Sequence, residues 1–256
     1  MLKSKIFFIS LFFMNMSFCQ TNNQSSQLIT VVSKNWNDFQ AELKLYEKNS
    51  VNDDWHLVSQ PMKAVIGKNG MKWGRGLHKD EDILEKVFRQ EGDKTAPAGI
   101  FSLSSVFGIE DVNKIKEENL VKLPYLYLTD SMRCVGEQKS KYYNEIVDAE
   151  KVEKDWENDE NNEKMRYEAI RDEQAYKWGV VVDHNVGTNK DKKSGSCIFI
   201  HLWKSYENGT SGCTALEEKD VKKIIHWLDP KKNPLLIQLP QSEYERLKNK
   251  WKLPSN

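Results

Sequence analysis

Cys213 and His201 are the residues of this chain whose types and spacing could do chemistry. In the stretch "IFIHLWKSYENGTSGCTAL", His201 closes an apolar run and Cys213 sits in a small-residue loop twelve positions later. A thiol attacks a carbonyl as the thiolate, and a free cysteine, with a pKa of about 8.5, needs help to ionise. Two devices are at hand. An imidazole can take the proton, and a helix starting just after Cys213 would favour an anion at its N-terminus. Ser211 and Gly212 keep the backbone open beside the sulfur. Their amides, with that of Cys213, could cradle the oxyanion of a tetrahedral intermediate. Nucleophile, base and oxyanion site together are what acyl transfer requires. Spacing alone leaves a structural alternative open, a disulfide from Cys213 to Cys134 or Cys197.

The elements that must position these residues are mostly strands. "LITVVSKNW" (28–36) has the β-branched content of a strand, and "QAELKLYEK" (40–48) alternates as a half-buried one does, with a polar turn at 49–54. "EGDKTAPAGIFSLSSVFG" (91–108) reads as a turn and a strand. "YLYLTDSMRC" (125–134) is another alternating run, and "WGVVVDHN" and "CIFIHLW" are buried strands. After Cys213 the period changes. Val221, Ile224, Ile225 and Leu228 share one helical face, Thr214 and Glu217 have capping-box spacing, and Pro230 stops the helix. "PLLIQLP" predicts a last strand and "QSEYERLKNKWK" a last short helix. Between 148 and 175 charge dominates and aliphatics are few, so a solvated helical insertion or flap is expected there. The fold class is mainly β with peripheral helices (α+β).

The chain has 256 residues and a formal net charge of zero. That balance offers nothing to nucleic acid or to an anionic membrane surface. Residues 1–19 read as a secretory signal: Lys3 and Lys5 precede the apolar run "IFFISLFFM", and Ser17 and Cys19 are small residues before a cut ahead of Gln20. The run is too short to span a bilayer, which takes about 20 residues, so no membrane span is expected in the mature chain. Lipidation at Cys19 is the less favoured reading, because Phe18 is bulky. The expected product is an exported monomer in the periplasm or cell envelope. Its parts are a flexible polar segment (20–27), a catalytic domain (28–240) and a C-terminal helical tail (241–256).

"HLWKSYENGTSGCTAL" resembles the active-site signature of the L,D-transpeptidase (YkuD-type) catalytic domain: a His closing a strand, a short loop, then Ser/Thr-x-Gly-Cys. "GKNGMKWGRGLH", "EGDKTAPAGIFSLSSVFG", "YYNEIVD", "KWGVVVDHN" and "HWLDPKKNPLLIQLP" are similar to segments of one subfamily in the same order. The resemblance implies a β-sandwich with mixed sheets and a cleft under a flap. It implies Cys213 as nucleophile, His201 as base, and the Leu202 carbonyl orienting the imidazole. The substrate it implies is the peptidoglycan stem peptide, cut after meso-diaminopimelate with loss of D-alanine. The acyl group would pass to an amine for cross-linking, or to water for carboxypeptidase action. Two positions depart from the wider family. Ser211 stands where His is common, and Ala215 where an Arg often meets a substrate carboxylate. Lys204 or Arg75 is the replacement cation expected here.

Other residues carry weaker expectations. His78, Trp203 and Trp178 are candidates to line the cleft, with core packing as the alternative for each. Asp183, His184 and His201 lack any local ligand spacing for a metal, and no cofactor is implied. His226 reads as surface. Cys134 and Cys197 could pair with each other, which would leave Cys213 free. A disulfide that included Cys213 would instead fit an exported wall-binding module.

Overall fold

The computed structural model describes residues 25–50 and 52–255. The export signal expected at 1–19 lies outside the described residues. Among the described residues fourteen strands form in chain order: β1 (Gln27–Ser33), β2 (Gln40–Glu47), β3 (His56–Leu57), β4 (Met62–Val65), β5 (Met71–Trp73), β6 (Ala96–Gly108), β7 (Tyr125–Tyr127), β8 (Met132–Val135), β9 (Ile146–Asp148), β10 (Asn162–Lys164), β11 (Trp178–Val182), β12 (Phe199–Leu202), β13 (Thr214–Leu216) and β14 (Leu235–Pro240). The α-helices described are α1 (Val112–Glu117), α2 (Met165–Ile170), α3 (Glu218–Trp227) and α4 (Gln241–Trp251).

The main sheet is barrel-like, which corrects the sandwich expected from the sequence. Neighbours run β1-β14-β6-β11-β12-β13-β4-β2, and β2 pairs back onto β1. Strand β1 makes this closure. It is antiparallel to β2 along one edge and parallel to β14 along the other, with Leu28 opposite both Tyr46 and Leu235. Side-chain alternation has the same period in a sandwich and in a barrel, so the pattern of single strands does not distinguish them. The weakest seam is β13 to β4, joined at Ala215 and Val65.

The apolar interior explains the strands. Leu28, Ile29 and Val31 of β1, Leu43 and Leu45 of β2, and Leu236, Ile237 and Leu239 of β14 are sealed from solvent in one cluster. Helix α3 covers it with Val221, Ile224 and Ile225, at the spacing read from the sequence. Helix α4 adds Tyr244, Leu247 and Trp251 to the same cluster.

A second antiparallel sheet, β10-β8-β9, stands apart from the barrel. The run 125–134 therefore splits into β7, which pairs with β6, and β8, which belongs to this smaller sheet. The turn at Asp130–Ser131 separates them. The segment 148–175 is more structured than a solvated helix. It carries β10 and α2, and it buries Trp156, Met165 and Ala169. Those few apolar side chains dock, while most of the charges around them remain in water. A Cys134–Cys197 disulfide ties this sheet to the segment entering β12.

Candidate active site

Strands β12 and β13 run parallel and adjacent, with His201 in register with Ala215. Cys213, two residues before Ala215, enters β13 on the same side of the sheet, because side chains alternate along a strand. His201 and Cys213 line one cleft of about 540 Å³. The loop between them is fixed by main-chain bonds to the chain after β4, Lys68 N–H to the Thr210 carbonyl (2.8 Å) and Thr210 N–H to the Ile66 carbonyl (2.8 Å). Glycine is needed at the turn itself. Gly212 has φ +145°, which strains any other residue, and a side chain there would crowd the Thr95 carbonyl and the Arg89 guanidinium.

His201 Nδ1 lies 2.7 Å from the Leu202 carbonyl oxygen. A carbonyl only accepts, so Nδ1 carries the proton and Nε2 is left as the acceptor. The contact ties the imidazole to the backbone carbonyl of the next residue along β12. The Cys213 thiol donates to the Cys197 carbonyl (3.4 Å) and its sulfur accepts from Phe199 N–H (3.3 Å). Cys213 is the free cysteine of the described residues. Thr210 completes the turn, donating its hydroxyl to the Cys213 carbonyl (2.6 Å) and accepting Gly212 N–H (3.0 Å). That second bond removes Gly212 from the oxyanion donors expected, and leaves the amides of Ser211 and Cys213 as the candidates.

The electrostatics differ from the sequence expectation. Helix α3 starts at Glu218, after the intervening strand β13. Its cap Glu217 makes no side-chain capping bond, and the Thr214 hydroxyl goes to Gln238 instead (2.6 Å). The helix end therefore lies too far along the chain to ionise Cys213. Burial pushes the thiol up to about 12, reinforced by the Glu163 carboxylate and opposed by the Phe199 amide and Arg89. Burial also lowers His201 to about 4, against the Leu202 bond. With Cys213 7% and His201 9% exposed, both rest in their neutral forms rather than as an ion pair.

The other residues singled out by sequence separate into two groups. Trp203 and Lys204 line the cleft, and Lys204 pairs with Glu173 at 2.9 Å. Arg75, His78 and Trp178 do not line it. Arg75 stacks on Phe88 and faces Asp80 and Asp191. His78 packs among Trp73, Phe101 and Trp251, and its Nδ1 accepts the Ile100 amide. Trp178 is buried under Tyr125 and Lys222. Asp183 is taken up by Ser102 and Ser104, and His184 by Arg75 N–H and the Ser194 carbonyl.

Three neighbours of the thiol were not legible in the sequence. Tyr176 sets its ring 5.3 Å from that of His201. Glu163, on β10, accepts a short hydrogen bond from the Tyr176 hydroxyl. Arg89 is 2% exposed and packs behind Gly195 and Gly212, with Nε and Nη1 unpartnered among the described residues. Only Arg89 had a sequence signal, its place just before the family-like "EGDKTAPAGIF". A larger cavity of about 740 Å³, lined by Lys34, Asp38, Met62 and Tyr206, holds neither the thiol nor the imidazole.

No curated protein and no solved structure matches the chain. The family model for the L,D-transpeptidase catalytic domain (YkuD) matches residues 40–237, which hold the small sheet, the cleft and the barrel strands from β2 to the start of β14, and the chain belongs to that family.

Proposed function

We propose that this protein is a cysteine acyltransferase of the cell envelope, acting on peptidoglycan stem peptides through Cys213 with His201 as base. The observation that carries the reading is the free thiol of Cys213 in one cleft with an imidazole whose proton is fixed on Nδ1. The other two described cysteines are joined to each other, which weighs against a wall-binding module that locks Cys213 in a bridge.

The sulfur attacks the donor carbonyl as its proton passes to His201 Nε2. Because both groups rest neutral, ionisation accompanies attack rather than preceding it. The amides of Ser211 and Cys213 receive the oxyanion. The C–N bond breaks, His201 returns the proton to the leaving D-alanine amine, and a thioester remains on Cys213. An amine or water then takes the acyl group. Ala215, the strand neighbour of His201, is buried and carries no charge, so the donor carboxylate must meet another cation. Lys68 and Lys94 are exposed on the cleft and have no carboxylate partner among the described residues, whereas Lys204 and Arg171 are paired with Glu173 and Glu168. Lys68 and Lys94 are the anchors this reading assigns. The envelope is the place of action because the substrate is there and the first residues read as an export signal.

Mass spectrometry of muropeptides incubated with the wild-type protein and with Cys213→Ala tests this. Wild type releases D-alanine and gives cross-linked or trimmed stems; Cys213→Ala, with an unchanged melting profile, gives neither. Processing that persists in Cys213→Ala sinks the mechanism, and trimmed stems alone identify water as the acceptor.

A further inference from the structure

The cleft carries three carboxylates on the wall built by 163–173, and two of them are matched. Glu168 pairs with Arg171 at 2.9 Å, and Glu173 pairs with Lys204 at 2.9 Å. Glu163 has no Lys or Arg within ion-pair reach among the described residues. Its one strong partner is the Tyr176 hydroxyl, and Tyr176 in turn stacks edgewise on His201. Its backbone position is fixed by β10, where it pairs with Cys134, one half of the bridge to Cys197. The Cys197 carbonyl is where the Cys213 thiol points. A half-buried carboxyl is thus held rigidly on the wall beside the sulfur, with no cation to satisfy it. Such a group is a receptor for a positive charge that arrives with a ligand.

We propose that Glu163 is the acceptor-binding residue of the cleft: it receives the ammonium of the incoming amine and takes the proton that the amine must lose before it attacks. This rests on the Cys213 acyl-enzyme reading and names the acceptor class that reading leaves open. The step balances. The ammonium gives one proton to the Glu163 carboxylate and becomes a neutral amine. Its lone pair forms the C–N bond to the thioester carbonyl, and its second proton passes to His201 Nε2. The C–S bond breaks with its electron pair on Sγ, and His201 returns that proton to the sulfur. Products are an amide, a neutral thiol, a neutral imidazole and a protonated Glu163, which loses its proton to water.

The charges around Glu163 suit this order of events. Tyr176, Glu168, Glu91 and Cys213 face it; burial, with the two glutamates, raises it to about 7 against the Tyr176 bond. It can therefore be neutral without a ligand and ionised beneath an ammonium. Its negative charge disfavours the Cys213 thiolate. On taking the acceptor's proton it loses that charge as electrons return to the sulfur.

The test is the partition of the acyl-enzyme, formed from a tetrapeptide muropeptide, among three acceptors: water, methylamine (an ammonium at neutral pH) and hydroxylamine (uncharged there). Glu163→Gln lowers the ratio of methylamide to hydrolysed product by about ten-fold, about 1.4 kcal/mol, and moves the hydroxamate ratio by less than about two-fold. An unchanged methylamide ratio, or loss of the acylation step itself in Glu163→Gln, overturns the proposal. Should Glu163→Gln fail to fold, the wild type decides alone. Its preference for methylamine over hydroxylamine must exceed that of a free model thioester, and equality overturns the proposal. Intact-mass analysis of the wild type separates the two readings. If Cys213 carries no acyl adduct, the parent function fails; an adduct with indifferent partition removes only the role of Glu163.

Discussion

At the scale of residues, the thiol and imidazole both rest neutral in the free protein. Cysteine enzymes that hold a standing thiolate–imidazolium pair react with alkylating agents at a rate that levels off near neutrality. Here burial and the Glu163 charge push Cys213 up to about 12, while burial holds His201 at about 4. Between these values the free protein carries a neutral thiol, and its thiolate fraction grows about ten-fold per pH unit. The expected outcome is an iodoacetamide rate at Cys213 that climbs steadily from neutral pH to the edge of stability. A plateau beginning below pH ~7 would mean a preformed ion pair, and the protonation states assigned here would be wrong. Much of this pair could be read from the sequence, since both residues sit on one short segment with glycine at the tight turn. The neutral resting state could not. It depends on how deeply the sulfur is buried and on a carboxylate that enters from β10.

At the scale of elements, the small sheet β10-β8-β9 contributes Glu163 to the side of the cleft that the barrel does not build. Its charged sequence conceals this. In 148–175 the apolar side chains are too sparse to show a period, yet Trp156, Met165 and Ala169 suffice to dock it, and Glu163 rides on the docked strand. Strands β1, β2, β6, β11 and β14 were plain because each alternates or is apolar throughout. Helix α3 is plain from its spacing, but the Thr214–Glu217 capping box does not form, because Thr214 serves a strand rather than a cap. The covalent tie to the barrel is Cys134–Cys197, closing a loop with a sequence separation of 63. Chain entropy for a loop of that size amounts to about 4 kcal/mol, and engineered cases give less. Replacing both cysteines with serine should lower the unfolding free energy by about 2–4 kcal/mol, read from urea denaturation. It should also raise amide exchange in 132–164 above that of β12. If exchange rises equally throughout, the bridge is a general staple and not a tie for this sheet.

At the scale of the molecule, closure of the sheet puts distant strands face to face across a filled interior. In the order β1-β14-β6-β11-β12-β13-β4-β2, strands β14 and β13 lie on opposite walls. Gln238 of β14 nonetheless accepts the Thr214 hydroxyl at 2.6 Å and donates to the Pro97 carbonyl of β6 at 2.9 Å. Both Gln238 and Thr214 are 1% exposed. No sequence pattern reveals this bond, because a glutamine in "PLLIQLP" reads as an interruption of an apolar strand until the opposite wall is known. Its cost lies in its absence: a buried hydroxyl or carbonyl left unpaired costs about 1–3 kcal/mol. Gln238→Leu strands the Thr214 hydroxyl and the Pro97 carbonyl together, and should destabilise the fold by about 2–4 kcal/mol in urea. Thr214→Val alone leaves the Gln238 carbonyl oxygen unpaired and should cost about 1–3 kcal/mol. The double variant removes both ends of one contact, so its loss should fall short of the sum by about 1 kcal/mol. Thr214 directly follows Cys213, so each single variant should also shift the iodoacetamide rate at that thiol. Simple additivity, with an unaltered thiol, would show that the two walls are independent and that the interior bond does not support the candidate site.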